Sequence, residues 1–143
     1  MAFKALDIAK YIVDYCTQKN KSVSNLKLQK MLYYLWIEYY KITKESLFCD
    51  EICAWQFGPV VPDVYYEYCS YAGSPIIKRY LLSGFESLNI LNEIIDKYID
   101  ITANELVRKS HEIGLPWATI YNNGTGNREV IPFELIIQLE CNK

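Results

Sequence analysis

Residues 25–42 read NLKLQKMLYYLWIEYYKI, a stretch with the pattern of a long helix. Its apolar residues recur at helical spacing, at Leu28, Leu32, Leu35, Trp36 and Tyr39. This spacing places them in one wide stripe along the helix surface. Ser24 stands just before the stretch, where an N-cap is needed. The sequence therefore predicts a long helix from about residue 25 to residue 42.

A second helical pattern precedes this stretch, in residues 5–19. Its apolar residues also follow helical spacing, at Ala5, Ile8, Ile12, Val13 and Cys16. Lys10 and Asp14 take the other side, and the polar residues 20–22 end the pattern. Two helices joined by so short a loop are expected to lie side by side and antiparallel.

The pattern changes from helical to alternating after the long helix. Residues 51–57 alternate in the manner of one short strand, and Gly58-Pro59 is predicted to end it. Pro62 is then predicted to open a helix, because proline is favoured in the first helical turn. Residues 129–131 are a candidate short strand that would pair with residues 51–55.

Capping residues and prolines predict the remaining helices. Ser83 and Glu86 form a capping box, as do Thr102 and Glu105. The first box precedes an apolar stripe at Leu88, Leu91, Ile95 and Tyr98. Prolines are predicted to open helices over residues 116–122 and 132–140. The expected fold is mainly α: a single compact helical domain spanning residues 1–143, with a small β element of two or three short strands.

The composition is that of a globular domain with an excess of tyrosine. Of the 143 residues, 51% are hydrophobic, and 13 are tyrosines. No apolar run approaches the ~18 residues of a membrane span. The first ten residues lack a signal-peptide pattern, so a cytoplasmic protein is expected. Tyrosine suits the rim of a core, where its hydroxyl finds a partner, and it equally suits an interface.

The charge balance argues against a protein dedicated to nucleic acids, since the net charge is −2. Residues 1–47 carry a net charge of +4, and residues 48–143 carry a net charge of −6. The two parts could attract each other within the fold, or the acidic part could attract a basic partner. A basic, aromatic face is predicted on the long helix, at Lys27, Lys30, Tyr33 and Tyr34. Such a face suits RNA binding, and it equally suits covering the core and meeting a protein.

Few residues could support catalysis or metal binding. The five cysteines have neither disulfide nor zinc spacing and are expected to be free thiols. His111 is the single histidine, and its neighbour Ser110 would not face it on a helix. The segment Gly124-Thr125-Gly126 lacks the third glycine and the lysine of a phosphate loop, and we interpret it as a turn. No catalytic residue, metal ligand or cofactor is predicted.

Three segments together resemble one protein family. Residues 26–34 read LKLQKMLYY, residues 54–65 read AWQFGPVVPDVY, and residues 110–117 read SHEIGLPW. In this order and at these separations, they are similar to the Panacea domain of SocA-like antitoxins, often labelled phage-associated proteins. The similarity extends over about residues 8–139. The candidate motif and core residues are Leu28, Gln29, Lys30, Leu32, Tyr34, Trp55, Gly58, Pro59, Val60, Pro62, Tyr65, His111, Pro116 and Trp117.

The resemblance implies a function in type II toxin–antitoxin or prophage-associated systems. It implies a mainly helical antitoxin that neutralises a protein toxin by direct contact and is not an enzyme. A family member that delivers its toxin to a protease provides one alternative, and a hydrolase-like enzyme using His111 is another. Some relatives carry an additional DNA-binding domain, for which this chain leaves no residues. Ser110 stands where threonine is commoner in the motif.

The motif residues themselves suggest a structural task. Gly58-Pro59 followed by Pro62 predicts a sharp, rigid turn from strand to helix. Trp55 and Trp117 are expected to anchor the core. Gln29 and Lys30 would either hydrogen-bond the 58–62 turn or contact a partner.

Overall fold

The long helix, α2, lies at the centre of the fold. A computed structural model of the protein describes residues 2–84 and 89–142. Its α-helices are, in chain order, α1 Ala5–Gln18, α2 Asn25–Thr43, α3 Pro62–Glu67, α4 Asn89–Tyr98, α5 Ala103–Ser110, α6 Pro116–Tyr121 and α7 Phe133–Ile136. Helix α2 packs against α1, α3, α4 and α5. It also packs against the C-terminal turn, Ile137–Cys141, which follows α7. The predicted mainly α fold is therefore confirmed.

The helix ends follow the chemistry expected from the sequence. The Ser24 hydroxyl accepts a hydrogen bond from the Lys27 amide at the start of α2. The Thr102 hydroxyl caps α5 in the same way, through the Glu105 amide. Pro62 and Pro116 occupy the first turns of α3 and α6, where a missing amide hydrogen costs nothing. The predicted capping box at Ser83 involves Glu86, which lies outside the described residues, as does Leu88 of the predicted stripe.

The strand prediction is only partly right. Two strands, β1 Cys53–Trp55 and β2 Gly58–Val60, form an antiparallel hairpin in which Trp55 lies opposite Gly58. The expectation that Gly58-Pro59 ends the strand is wrong, because these residues begin β2. Gly58 has φ +111°, a backbone conformation that glycine adopts readily. This conformation lets the chain reverse its direction through the two residues that separate Trp55 from Gly58. Pro59 lacks an amide hydrogen and is tolerated because β2 lies at the edge of the sheet.

A third segment extends the β element, as the sequence predicted. Val130 forms a bridge with Cys53, the Ala54 amide donates to the Glu129 carbonyl at 2.8 Å, and the Ile131 amide donates to Ile52 at 2.7 Å. The pairing is thus a single bridge with flanking hydrogen bonds. The chain then enters α7, and a π-helical turn, Ile137–Cys141, continues it to the C-terminal residues.

One continuous hydrophobic core fills the space around α2. Ile8 and Ile12 of α1 are completely buried, and so are Leu28, Leu32 and Trp36 of α2. The Trp36 indole donates to the Phe48 carbonyl at 2.9 Å, which satisfies its polar atom inside the core.

Tyrosine hydroxyls rim this core, in agreement with one of the two roles predicted for them. The Tyr15 hydroxyl donates to Asp96 on α4, at 2.8 Å. The Tyr98 hydroxyl donates to Glu38 at 2.6 Å, and the Tyr33 hydroxyl donates to Glu140 at 3.1 Å. These bonds join residues far apart in the sequence and fasten α1 to α4, α4 to α2, and α2 to the C-terminal turn.

An irregular segment, residues 76–84, lies along α1. The Asp14 carboxylate is 8% exposed and accepts hydrogen bonds from Arg79 Nε at 2.7 Å and the Tyr80 amide at 2.8 Å. Burial alone would raise the pKa of Asp14, but these hydrogen bonds and the one donated by Gln18 lower it.

Within residues 2–84 and 89–142, the helices lack the length and apolar character needed to cross a membrane.

Candidate functional site

Two polar side chains of α2 hold the hairpin in place. Lys30 is fully buried, and its Nζ donates to the Pro59 carbonyl at 3.0 Å. The Gln29 side chain accepts a hydrogen bond from the Val61 amide at 2.9 Å and donates to Asn25 at 3.0 Å. Of the two predicted roles for Gln29 and Lys30, the structure therefore supports bonding to the 58–62 turn.

The Lys30 amino group lies in an unusual environment for a lysine. Burial lowers the pKa of this group to about 7, because the charged form loses its hydration. The Lys30 side chain also fills the space beside Gly58. A Cβ atom at Gly58 would lie 2.8 Å from Lys30 Cε and 2.9 Å from Ser110 Oγ. The hairpin thus approaches α2 and α5 as closely as glycine permits.

His111 occupies the C-cap of α5 and stacks on Trp117, with ring centroids 3.7 Å apart. Burial lowers the pKa of His111, the charge of Lys30 lowers it further, and a bond to the Phe57 carbonyl partly offsets both effects. Its Nε2 atom is buried and has no hydrogen-bond partner among the described residues. The adjacent Ser110 hydroxyl donates to the Val107 carbonyl at 2.8 Å, so it is engaged with its own helix. We call Gln29, Lys30, Ser110 and His111 the buried polar cluster.

Trp117 joins the third motif segment to the hairpin. Its side chain is 8% exposed, and its indole donates to the Trp55 carbonyl at 2.7 Å. All three sequence segments that carry the family resemblance therefore meet at the hairpin. The other motif residues differ in burial: Leu28, Leu32, Tyr34, Val60 and Pro116 are buried, and Pro62 and Tyr65 are half-buried.

Trp55 differs from the expectation that it anchors the core, because its side chain is only half-buried. It lines a groove of about 460 Å³ that opens to solvent beside the hairpin. The rings of Tyr65 and Tyr66 lie 5.0 Å and 6.0 Å from the Trp55 ring. We call this the aromatic groove, and its side chains include Trp55, Phe57, Tyr65, Tyr66 and Arg128. The difference arises because Trp55 is the last residue of β1 and directly precedes the exposed turn residues Gln56 and Phe57.

Arg128 completes the aromatic groove, and the sequence analysis missed it. Its guanidinium lies 4.3 Å from the centroid of the Trp55 ring, a cation–π contact. Its backbone has φ +71°, which lies in the left-handed region that residues other than glycine rarely adopt. The Arg128 amide donates to the Ala54 carbonyl at 2.6 Å, which fixes that conformation against β1. In the sequence, only the predicted pairing of residues 129–131 with residues 51–55 could have indicated that Arg128 lies beside Trp55.

The predicted basic, aromatic face on α2 is not an exposed surface. Lys30, Tyr33 and Tyr34 are each at most 2% exposed. The Lys27 amino group is directed to the Ile99 carbonyl at the end of α4. Of the two alternatives left open for this face, the structure favours covering the core over RNA binding, because α4, α5 and the C-terminal turn pack against α2.

These features define a mainly helical domain in which a buried polar cluster fixes a hairpin beside an exposed aromatic groove. The chain belongs to the "Antitoxin SocA-like, Panacea domain" family, which matches residues 28–118 and so includes the second and third motif segments and all but the first two residues of the first. It is also similar to Antitoxin SocA of Caulobacter vibrioides, with 30% identity over 131 residues that cover 80% of this chain and 69% of that protein. No solved structure matches the chain. The family supports an antitoxin role.

Proposed function

We propose that this protein neutralises a protein toxin by direct contact and that the aromatic groove forms the contact. The observation that carries the proposal is the exposure of large aromatic side chains at one concave site. Phe57 is 59% exposed and Tyr66 is 56% exposed, beside the half-buried Trp55 and Tyr65. Exposed aromatic clusters of this kind mark interaction sites, because their burial on binding supplies most of the affinity.

The neighbouring buried polar cluster supports this function by making the groove rigid. Gln29 and Lys30 hold β2, and Trp117 holds the Trp55 backbone. A groove with a fixed backbone loses little conformational entropy when a partner binds. The proposed toxin would therefore meet a preformed surface.

Neutralisation by contact needs no catalytic group, and the side chains near the hairpin that could serve in catalysis are held within the fold. Ser110 donates to a helix carbonyl, and Lys30 donates to Pro59. His111 stacks on Trp117 with its Nε2 atom buried. We therefore propose sequestration in place of enzymatic reversal.

Co-expression with the toxin encoded by the adjacent gene tests the proposal. The wild-type chain should restore growth and should co-purify with the toxin. Phe57→Ser and Tyr66→Ala should lose both effects while retaining the wild-type melting temperature. Ile113→Ser is the matched control, since Ile113 is 99% exposed and does not line the groove. His111→Gln, provided that it folds, should rescue growth as well as the wild type.

Three results would contradict the proposal. Rescue without a complex would indicate that the toxin is not sequestered. A fall in toxin level that depends on a host protease would indicate delivery for degradation. A folded His111→Gln variant that binds the toxin but fails to rescue growth would indicate an enzymatic antitoxin.

A further inference from the structure

We propose that the aromatic groove selects a segment of the partner protein in which an acidic side chain stands beside a bulky apolar one, with Arg128 binding the carboxylate. This inference rests on the proposed function, because it names the chemistry of the toxin segment that enters the groove. It assigns to Arg128 the role of a specificity-determining residue.

The position of Arg128 supports a carboxylate ligand. The central carbon of its guanidinium lies over the Trp55 ring, 4.3 Å from the ring centroid, so the indole holds the cation at the groove. Its N–H donors lie in the plane of the group and project from its edge, where a carboxylate accepts two parallel hydrogen bonds. No acidic side chain in residues 2–84 and 89–142 forms a salt bridge with Arg128. The donors are therefore available to a partner.

The charge of the groove also favours an acidic ligand. Arg128 is the single ionised residue among the described residues that line it. No carboxylate in that lining competes for its guanidinium. The guanidinium would attract a carboxylate to this place and orient the segment that carries it.

The backbone fixes the position of the Arg128 side chain. Arg128 has φ +71°, in the left-handed region that favours glycine, so the surrounding structure has to hold it there. Here the hydrogen bond to the Ala54 carbonyl fixes it, and the result is that the side chain reaches the Trp55 ring.

The rest of the groove fits the apolar part of the segment. Trp55, Tyr65 and Tyr66 form its aromatic wall, and Leu26 and Val60 add aliphatic surface. The exposed amides of Gln56 and Asn127 lie at the same site, where they suit the peptide groups of a bound segment. A volume of about 460 Å³ accommodates a large side chain together with its neighbour.

Two blocked dipeptides test the carboxylate directly: acetyl-Glu-Phe-amide and acetyl-Gln-Phe-amide. Binding is followed by NMR through the indole resonance of Trp55, assigned with the Trp55→Phe variant. The acidic probe should bind at least about tenfold more tightly than the neutral one, as expected for a charge-assisted pair. Arg128→Gln should abolish this preference, and Arg128→Lys should reduce it. Arg108→Gln is the matched control, because Arg108 is exposed on α5 and does not line the groove.

The same variants tested with the co-expressed toxin separate this inference from the proposed function. If Tyr66→Ala loses the toxin but Arg128→Gln retains full affinity, the groove is the contact and the carboxylate inference is overturned. If the wild-type chain does not bind the toxin, the proposed function fails, whatever the dipeptides do. Equal binding of the two dipeptides, no binding of either, or preferential binding of a single-stranded oligonucleotide through Arg128 would each overturn the inference.

Discussion

The buried polar cluster and the aromatic groove meet at one hairpin but differ in what surrounds their polar atoms. Lys30 and Gln29 bond to backbone groups within the fold, whereas Arg128 and the aromatic rings beside it face solvent. Trp55 connects the two regions, since its carbonyl accepts a hydrogen bond from Trp117, which stacks on His111, and its ring lines the groove. The difference teaches that a residue can belong to a family motif because it fixes a backbone, beside the residues that we propose to meet a partner.

Paired tryptophan substitutions give the sharpest test of that difference. Trp117→Ala should lower the free energy of unfolding by about 3–5 kcal/mol, because it removes a buried ring and leaves the Trp55 carbonyl without its donor. Trp55→Ala should cost less than half as much, since the ring is only half-buried, yet it should lose the toxin. Urea denaturation measures the first effect and co-purification the second. Equal losses of stability would show that both rings anchor the core.

Gly58→Ala tests how tightly the hairpin approaches α2 and α5. The added Cβ would contact Lys30 and Ser110, and alanine is strained at φ +111°. We expect a loss of about 2–4 kcal/mol in the free energy of unfolding, measured by urea denaturation. Gly73→Ala is the matched control, because a Cβ there has no atom within 4 Å. A loss that is the same for both glycines would mean that the space beside Gly58 is not closed.

Lys30→Met tests the electrostatics of the cluster. The folded protein holds the pKa of Lys30 at about 7, and the unfolded chain restores its ordinary, higher value. Between these values the unfolded state binds more protons, so stability should rise with pH, by at most about 1.4 kcal/mol per pH unit. Urea denaturation at pH 7, 8 and 9 should show this rise in the wild type relative to Lys30→Met. Parallel pH profiles of the two proteins would contradict the burial of a titrating lysine.

The sequence predicted the elements whose signals are local. Ser24, Thr102, Pro62 and Pro116 mark helix starts by their own chemistry, and each lies at a helix start in the structure. The hairpin was missed because its two turn residues, Gln56 and Phe57, carry none of the glycine or asparagine signals of a tight turn.

The groove was harder to predict than the fold. The exposure of Trp55 follows from the two-residue turn, and the proximity of Arg128 follows from pairing between segments about 75 residues apart. The burial of the face carrying Tyr33 and Tyr34 likewise depends on helices that join α2 from far along the chain. The local sequence pattern does not indicate such contacts between segments that are far apart in the chain.

The central position of α2 also sets the order in which the chain can fold as it is synthesised. Tyr33 bonds to Glu140, 107 positions later, and Cys141 contacts the Ile37 carbonyl across 104 positions. Helix α2 therefore leaves the ribosome long before the segment that completes its cover has been translated. An interrupted chain presents apolar surface of the kind that chaperones and proteases recognise. A chain that lacks residues 137–141 is therefore expected to be degraded sooner than one that contains them.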